Sequence, residues 1–162
     1  MKQNLLLSAS LGLFLLLAHP LHAQENEGRT LSPVTIVSYQ VQPKVIRAFE
    51  RSFKNAADPV WSKIGEKFLV RFTREGLKQH ALFGKQGSLV YHLTFGGEKN
   101  LPETVQNLVN GKYSGYSIVA ATHIENEERN IWEVKLEGMR NLVSVHVEND
   151  EVAEVESFRK AL

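Results

Sequence analysis

The 162-residue sequence contains no cysteine. This absence excludes disulfide bonds, thiolate nucleophiles, thiolate metal sites and redox exchange. It also excludes a lipoprotein anchor, which would require a cysteine at the cleavage site of a signal peptide. Without disulfides, a chain of this size depends on its hydrophobic core and on its hydrogen-bonded secondary structure for stability.

Long apolar runs are also scarce. One run, residues 5–18, covers about 14 residues, which is short of the roughly 20 that cross a bilayer as a helix. It follows the charged Lys2 and leads to a segment that ends at the small residue Ala23, a pattern typical of secretory signal peptides. We therefore predict a signal peptide over 1–23 and a periplasmic or secreted mature protein without a stable membrane anchor. An uncleaved signal anchor is the alternative.

Neither sign of charge is in excess. The chain has 19 Lys and Arg residues against 18 Asp and Glu residues. Removal of the leader takes away one basic residue, Lys2, so that 18 of each sign remain and the mature chain has no net charge. Because dedicated nucleic-acid-binding proteins normally show a basic excess, no nucleic-acid partner is predicted.

The familiar catalytic motifs are missing as well. The sequence contains no G-x-S-x-G, P-loop, H-E-x-x-H or dinucleotide-binding glycine pattern. No nucleophile and base can be named as a pair. We therefore predict that the protein is not an enzyme and that it has no catalytic residues, no cofactor and no metal site.

The histidines leave one alternative open. Those outside the leader lie on predicted strands, and none shows the close spacing that is typical of metal ligands. His80 and His92 flank a predicted hairpin that could bring them near each other. Small-ligand or metal binding is therefore the alternative function, although ordinary solvent-facing histidines are the simpler interpretation. The histidines concerned are His80, His92, His123 and His146.

Periodicity predicts two helices, each followed by strands. Pro43 suits a first helical turn, and an apolar stripe runs from Val45 to Phe53 at helical spacing. A second helix is predicted with Pro102 in its first turn and Glu103 complementing its dipole. Alternating or apolar stretches predict strands at 60–64, 68–73, 79–83, 88–95, 117–124, 130–136, 142–147 and 152–158. Residues 24–41 are predicted to be a flexible N-terminal segment, and residues 42–162 a single domain.

The two halves of this domain read as similar units. Residues 68–72 (Phe-Leu-Val-Arg-Phe) align with residues 132–136 (Trp-Glu-Val-Lys-Leu), and a Glu-Gly turn follows each. We therefore predict two repeats, at about 42–99 and 100–162. The predicted fold class is α+β: a tandem repeat of a helix followed by three or four antiparallel strands, with the helices packed on one face of the sheet.

The order of five short motifs resembles a known family. They begin at Phe53 (F-K-N-A-x-D-x-x-W), Gly65 (G-E-K-F-x-V-x-F), Phe83 (F-x-x-x-G-x-L), Leu101 (L-P-x-x-V) and Tyr113 (Y-x-G-Y-x-I). Together they resemble the β-lactamase-inhibitor-like (BLIP-like), PepSY-like family of small periplasmic proteins. The resemblance implies tandem α-β repeats and a sheet face that can bind another protein. The family is largely without assigned function.

One surface pattern indicates where such a partner would bind. Arg71 and Lys135 occupy equivalent outward positions in the two halves, and His92 and His146 are candidates for the same solvent face. We predict a partner-binding sheet face formed by these four residues, directed to another periplasmic or extracellular protein. The alternative is that the basic side chains keep an exposed sheet soluble and hinder pairing at its edges.

Overall fold

The computed structural model describes residues 40–161. The predicted signal peptide and residues 24–39 of the predicted flexible segment lie outside the described residues. Two α-helices, one short 3₁₀ helix (Glu98–Asn100) and eight β-strands form this part of the chain. The helices are α1 (Pro43–Ser52) and α2 (Glu103–Lys112), and the strands are β1 (Ala57–Ile64), β2 (Lys67–Arg74), β3 (Leu77–Gly84), β4 (Leu89–Gly96), β5 (Ser117–Glu125), β6 (Asn130–Glu137), β7 (Asn141–Glu148) and β8 (Glu151–Arg159).

Both helices form where the sequence predicts them. The helix α1 begins at Pro43, whose fixed φ suits the first turn, and its apolar stripe is buried. The helix α2 has Glu103 in its first turn and Lys112 in its last, and both charges complement the helix dipole. The prediction of these two helices is confirmed.

The strands form one antiparallel sheet in the order β1-β2-β3-β4-β5-β6-β7-β8. Every strand therefore pairs with its neighbours along the chain, including β4 with β5, although α2 lies between them in sequence. The predicted fold class, a tandem repeat of two units that each contain a helix followed by three or four strands, is wrong, because the structure is a single eight-stranded sheet with two helices. The physical reason is the β4–β5 ladder, whose hydrogen bonds continue the sheet across the proposed boundary at residues 99 and 100.

The sheet has two different faces. Residues that pair across antiparallel strands project to the same face, so the strand register sorts the side chains. On β2 the buried Phe68, Val70 and Phe72 cluster with residues of α1, and we call this side the helix face. The alternating residues, Arg71 among them, lie on the opposite side, which we call the open face.

Two hydrophobic clusters are buried on the helix face. The first joins α1 to β2 and β3, and the second joins α2 to β5, β6 and β7. The buried members of the first cluster are Val45, Ala48, Phe49, Phe53, Phe68, Val70, Phe72, Ala81 and Phe83. Those of the second are Leu101, Val105, Val109, Ala121, Val134, Leu136, Val143, Val145 and Val147.

The outer strands β1 and β8 each pair on one side only within the sheet. A bulge between Ala57 and Val60 interrupts the first ladder, and Pro59 lies within it. The strand β8 carries Glu154 and Glu156, both exposed. Bulges, proline and charged residues are common means of discouraging edge-to-edge pairing. Over residues 40–161, no helix has the length and apolarity needed to span a membrane.

Candidate functional site

The structure places three of the four predicted site residues on the open face. Arg71 on β2, Lys135 on β6 and His146 on β7 each lie between two residues that are buried on the helix face. The strands β2 and β6 are four strand spacings apart, which is roughly 19 Å. Arg71 and Lys135 therefore share a face without meeting in one site.

The fourth predicted residue, His92, lies on the other side. Its side chain is buried on the helix face, where it pairs across the strands with the fully buried Ala81. The prediction that His92 belongs to a solvent face is therefore wrong. The reason is that β4 inverts the usual alternation, since its apolar Tyr91 and Leu93 project to the open face and its polar residues face the helix side.

This inversion extends across the middle of the sheet. On the helix face, β4 and β5 carry polar His92, Thr94, His123 and Glu125 between the two hydrophobic clusters. On the open face the same strands and their neighbours carry an apolar strip. We define this strip as Leu82, Tyr91, Leu93, Phe95, Ile124 and Ile131. Two members, Leu82 and Ile131, are only 7% and 6% exposed although neither belongs to a helix-face cluster.

A basic hollow lies on the open face around Arg71. Its volume is about 350 Å³, and Arg71, Lys78 and His80 line it together with Asp58 and Val60. The register pairs Arg71 with His80 and Thr73 with Lys78, which brings these basic side chains to one face. Within residues 40–161, Arg71 forms no ion pair. Sequence reasoning did not assign Lys78 and His80 to this site. The Glu75-Gly76 turn is the signal that could have found them, because a tight turn there pairs β2 with β3 and places both residues beside Arg71.

His80 contributes polarity to this hollow more than charge. Burial lowers the pKa of His80 below 6.5, and the nearby charge of Arg71 lowers it further. The imidazole ring also lies edge-on to Phe95, with 4.7 Å between the ring centroids. At neutral pH the hollow therefore presents the charges of Arg71 and Lys78 beside a neutral imidazole that can donate or accept a hydrogen bond.

The other two predicted residues lie close to the same carboxylate. Lys135 Nζ lies 3.9 Å from Glu133 Oε1, and His146 Nε2 lies 3.8 Å from Glu133 Oε2. These three side chains share the open face of β6 and β7. Basic character on the open face is therefore concentrated in the hollow around Arg71.

His92 belongs to a hydrogen-bonded network on the helix face. Its Nδ1 lies 3.1 Å from Glu125 Oε2, and its Nε2 lies 2.9 Å from Gln79 Oε1 and 3.3 Å from Thr94 Oγ1. Burial lowers the pKa of His92 below 6.5, while the hydrogen bond and charge of Glu125 raise it by less. The positive charge of Arg74 adds to the lowering.

The geometry does not unite the histidines of the hairpin. His80 pairs with Leu93 on the open face, whereas His92 pairs with Ala81 on the helix face. The hairpin therefore does not bring His80 and His92 near each other, as the sequence had left open. Among the described residues, no three His, Asp or Glu side chains are arranged to hold a metal ion.

Comparison with solved structures identifies proteins of the same fold. A BLIP-like protein from Bacteroides fragilis has a TM-score of 0.62 and 15% identity, covering 75% of this chain and 87% of that one. A DUF2874 family protein from Bacteroides uniformis has a TM-score of 0.60 and 16% identity, covering 74% of this chain and 90% of that one. A Bacteroides eggerthii structure described as "putative periplasmic proteins" has a TM-score of 0.60 and 16% identity, covering 75% and 90%.

These similarities concern the fold alone. No protein-family profile matches the sequence, and no curated protein is similar to it in sequence. The resemblance to BLIP-like proteins is confirmed at the level of the fold. The PepSY-like part of that resemblance stays a prediction.

Proposed function

We propose that this chain is a secreted or periplasmic, non-catalytic protein that binds another protein through the open face of its sheet. The observation that supports this most is the inversion of β4 and its neighbours, which leaves the apolar strip on the face that neither α1 nor α2 covers. Protein interfaces typically combine an apolar centre with a polar rim. The apolar strip and the adjoining basic hollow have this arrangement.

The hollow favours an acidic partner. Arg71 is exposed and forms no ion pair within residues 40–161, so its guanidinium is available to a carboxylate of another chain. Arginine binds carboxylates through two parallel hydrogen bonds and is enriched at interface hot spots. We therefore propose a partner that places an Asp or Glu side chain in the hollow and apolar side chains on the strip.

The compartment and the inhibitor-like role of this proposal rest on the leader and on structures of the same fold. The predicted leader favours export, and one structure of the same fold is described as periplasmic. The description of another as BLIP-like supports the version of this proposal in which binding blocks the activity of the partner. Fold similarity does not carry a function from one protein to another, so both points are proposals.

The test is capture of partners by the mature chain. Residues 24–162 are immobilised and exposed to periplasmic extract, alongside an Arg71→Glu/Lys135→Glu variant in which the open face has reversed charges. We expect at least one partner to bind the wild-type chain with a defined stoichiometry and to lose most of its affinity for the variant, measured by isothermal titration calorimetry with the purified pair.

A charge-matched control makes this test specific. The Arg47→Glu/Arg51→Glu variant changes net charge equally but alters exposed residues of α1 on the other side of the sheet. It should retain the partner. Equal loss of binding in both variants would indicate a general charge effect, and unchanged binding in the open-face variant would mean that the partner binds elsewhere.

A further inference from the structure

A second cavity lies at the end of the sheet, away from the apolar strip. Its volume is about 580 Å³, within the usual range for small-molecule sites. The hairpin turn between β6 and β7 forms one wall, the start of β5 another, and the end of β8 a third. The lining residues are Gly115, Tyr116, Met139, Arg140, Asn141, Arg159 and Lys160.

Positive charge dominates this cavity. Arg140, Arg159 and Lys160 all line it, and the Nζ of Lys160 lies 2.5 Å from Glu137 Oε1. One of the three cations is thus neutralised. Within residues 40–161, neither Arg140 nor Arg159 forms an ion pair. Two guanidinium groups therefore remain available to an anion in a space of molecular size.

The backbone fixes the two guanidinium-bearing segments relative to each other. The Lys160 amide donates to the carbonyl of Arg140 at 2.8 Å, and Asn141 pairs with Arg159 in the ladder between β7 and β8. The turn is closed by a hydrogen bond from the Gly138 amide to the Asn141 carbonyl at 2.9 Å. Both arginines are exposed at their own positions, so the fold does not depend on their side chains.

An aromatic side chain provides the apolar wall. The ring of Tyr116 packs against Gly138 so closely that a Cβ at that glycine would lie 2.6 Å from Tyr116 Cε1. Tyr113 meets the same ring edge-on, with 5.7 Å between centroids. Met139 is 88% exposed at the tip of the turn. A positioned tyrosine and a mobile thioether side chain together suit the apolar surface of a small ring.

We infer that this cavity binds a small molecule in which a ring carries a carboxylate or a phosphate group. The anionic group contacts Arg140 and Arg159, which can each form two parallel hydrogen bonds to such an oxyanion. The ring packs against Tyr116 and Met139. This site uses none of the residues of the proposed protein-binding face, so each can exist without the other.

Titration with three sugars that share one ring tests the inference. The mature chain, residues 24–162, is titrated with D-galacturonate, D-galactose 6-phosphate and uncharged D-galactose, and binding is followed by calorimetry and by NMR of the Tyr116 ring. We expect at least one charged sugar to bind and D-galactose not to bind at the same millimolar concentrations. The two charged sugars distinguish a carboxylate ligand from a phosphate ligand.

Substitution of the arginines gives the decisive comparison. Arg140→Gln and Arg159→Gln should each weaken binding of the charged sugar by about tenfold or more, because a charged hydrogen bond is lost. Arg71→Gln, which removes an equal charge from the open face, should leave it unchanged. The inference is overturned if neither charged sugar binds at about 10 mM, or if the arginine variants bind as tightly as the wild-type chain.

Discussion

The two clusters on the helix face bury their surface in different ways. The first is aromatic. The ring centroid of Phe49 lies within 6.4 Å of four other ring centroids, those of Phe53, Trp61, Phe72 and Phe83. The second is aliphatic, and valine and leucine supply most of its buried side chains. One sheet therefore carries a core rich in large aromatic side chains beside a core of smaller aliphatic ones, with nine buried members in each.

This difference bears on how stability is distributed. Interiors reach the same packing density with large or small side chains, but removal of a large one leaves a larger void. Aromatic rings also prefer edge-on contacts, which fix their neighbours. We therefore expect the aromatic cluster to concentrate its stabilisation in single residues and the aliphatic cluster to spread it.

The largest expected effect is a truncation in the aromatic cluster. Phe49→Ala should lower the free energy of unfolding by about 3–5 kcal/mol, because it leaves a cavity among four rings. Val109→Ala, at a position equally well buried in α2, should cost about 2 kcal/mol. Urea unfolding of a chain of residues 24–162 measures both values, and equal costs would contradict the contrast between the clusters.

The second expected effect concerns how closely each helix approaches its neighbours. Gly87 has a φ of +89°, and a Cβ there would lie 3.0 Å from the Lys44 carbonyl oxygen of α1. Gly87→Ala should therefore destabilise the fold by about 1–3 kcal/mol. Gly111 in α2 has open space around it, so Gly111→Ala should stabilise by about 0.5–1 kcal/mol. Thermal unfolding of both variants should show shifts of opposite sign.

The third prediction concerns the polar boundary between the clusters. Since burial holds the pKa of His92 below its usual 6.5, the unfolded chain binds this proton more readily than the folded chain. The stability that neutral His92 contributes is fully present above about pH 6.5. It is lost as the pH falls from there towards the pKa of His92 in the folded chain. Urea unfolding between pH 5 and pH 8 should show this decline.

His92→Gln isolates this contribution from those of the other histidines. The difference in unfolding free energy between wild type and variant should depend on pH below about 6.5 and be constant above it. A difference that is independent of pH throughout would mean that His92 titrates alike in the folded and unfolded chain. Glu125→Gln should enlarge the decline, because it removes the carboxylate that favours the charged imidazole.

The smallest expected effect on stability concerns the exposed ion pair between Arg129 and Glu148. Arg129 binds Glu148 through two hydrogen bonds of 2.9 and 2.6 Å, and these lower the pKa of Glu148 below 4.5. Arg129→Gln should raise that pKa towards 4.5 while changing stability little, because the pair is accessible to water. Carbon-detected NMR titration of Glu148 measures the change, and an unaltered pKa would show that the pair does not persist in solution.

The helices and most strands could be predicted because their signals are local. The spacing of Val45, Ala48 and Phe49 indicates a helical stripe directly, and these residues are buried in the structure. The hairpin turn predicted between the strands at 79–83 and 88–95 also lies there in the structure, between β3 and β4. Such patterns depend on neighbours within a few positions, which a single sequence displays.

The pairing of distant strands and the sheet face on which each side chain lies could not be predicted from such local patterns. The β4–β5 ladder joins strands separated by a helix, and no local pattern records it. On β4 the alternation of Tyr91 and Leu93 with His92 is clear, but the apolar residues lie on the open face. The rule that apolar residues of a strand face the core therefore places His92 on the wrong side of the sheet. The cavity near Arg140 and Arg159 forms where the β6–β7 turn, the start of β5 and the end of β8 come together, which requires the completed sheet.

The sequential order of the strands has a consequence for how the chain folds as it emerges. Each strand after β1 pairs with the strand that precedes it, so a growing chain never waits for a distant strand. The unpaired edge moves forward with each added strand. The edge of the sheet formed by β8 carries the exposed Glu154 and Glu156, which discourage pairing with a further strand.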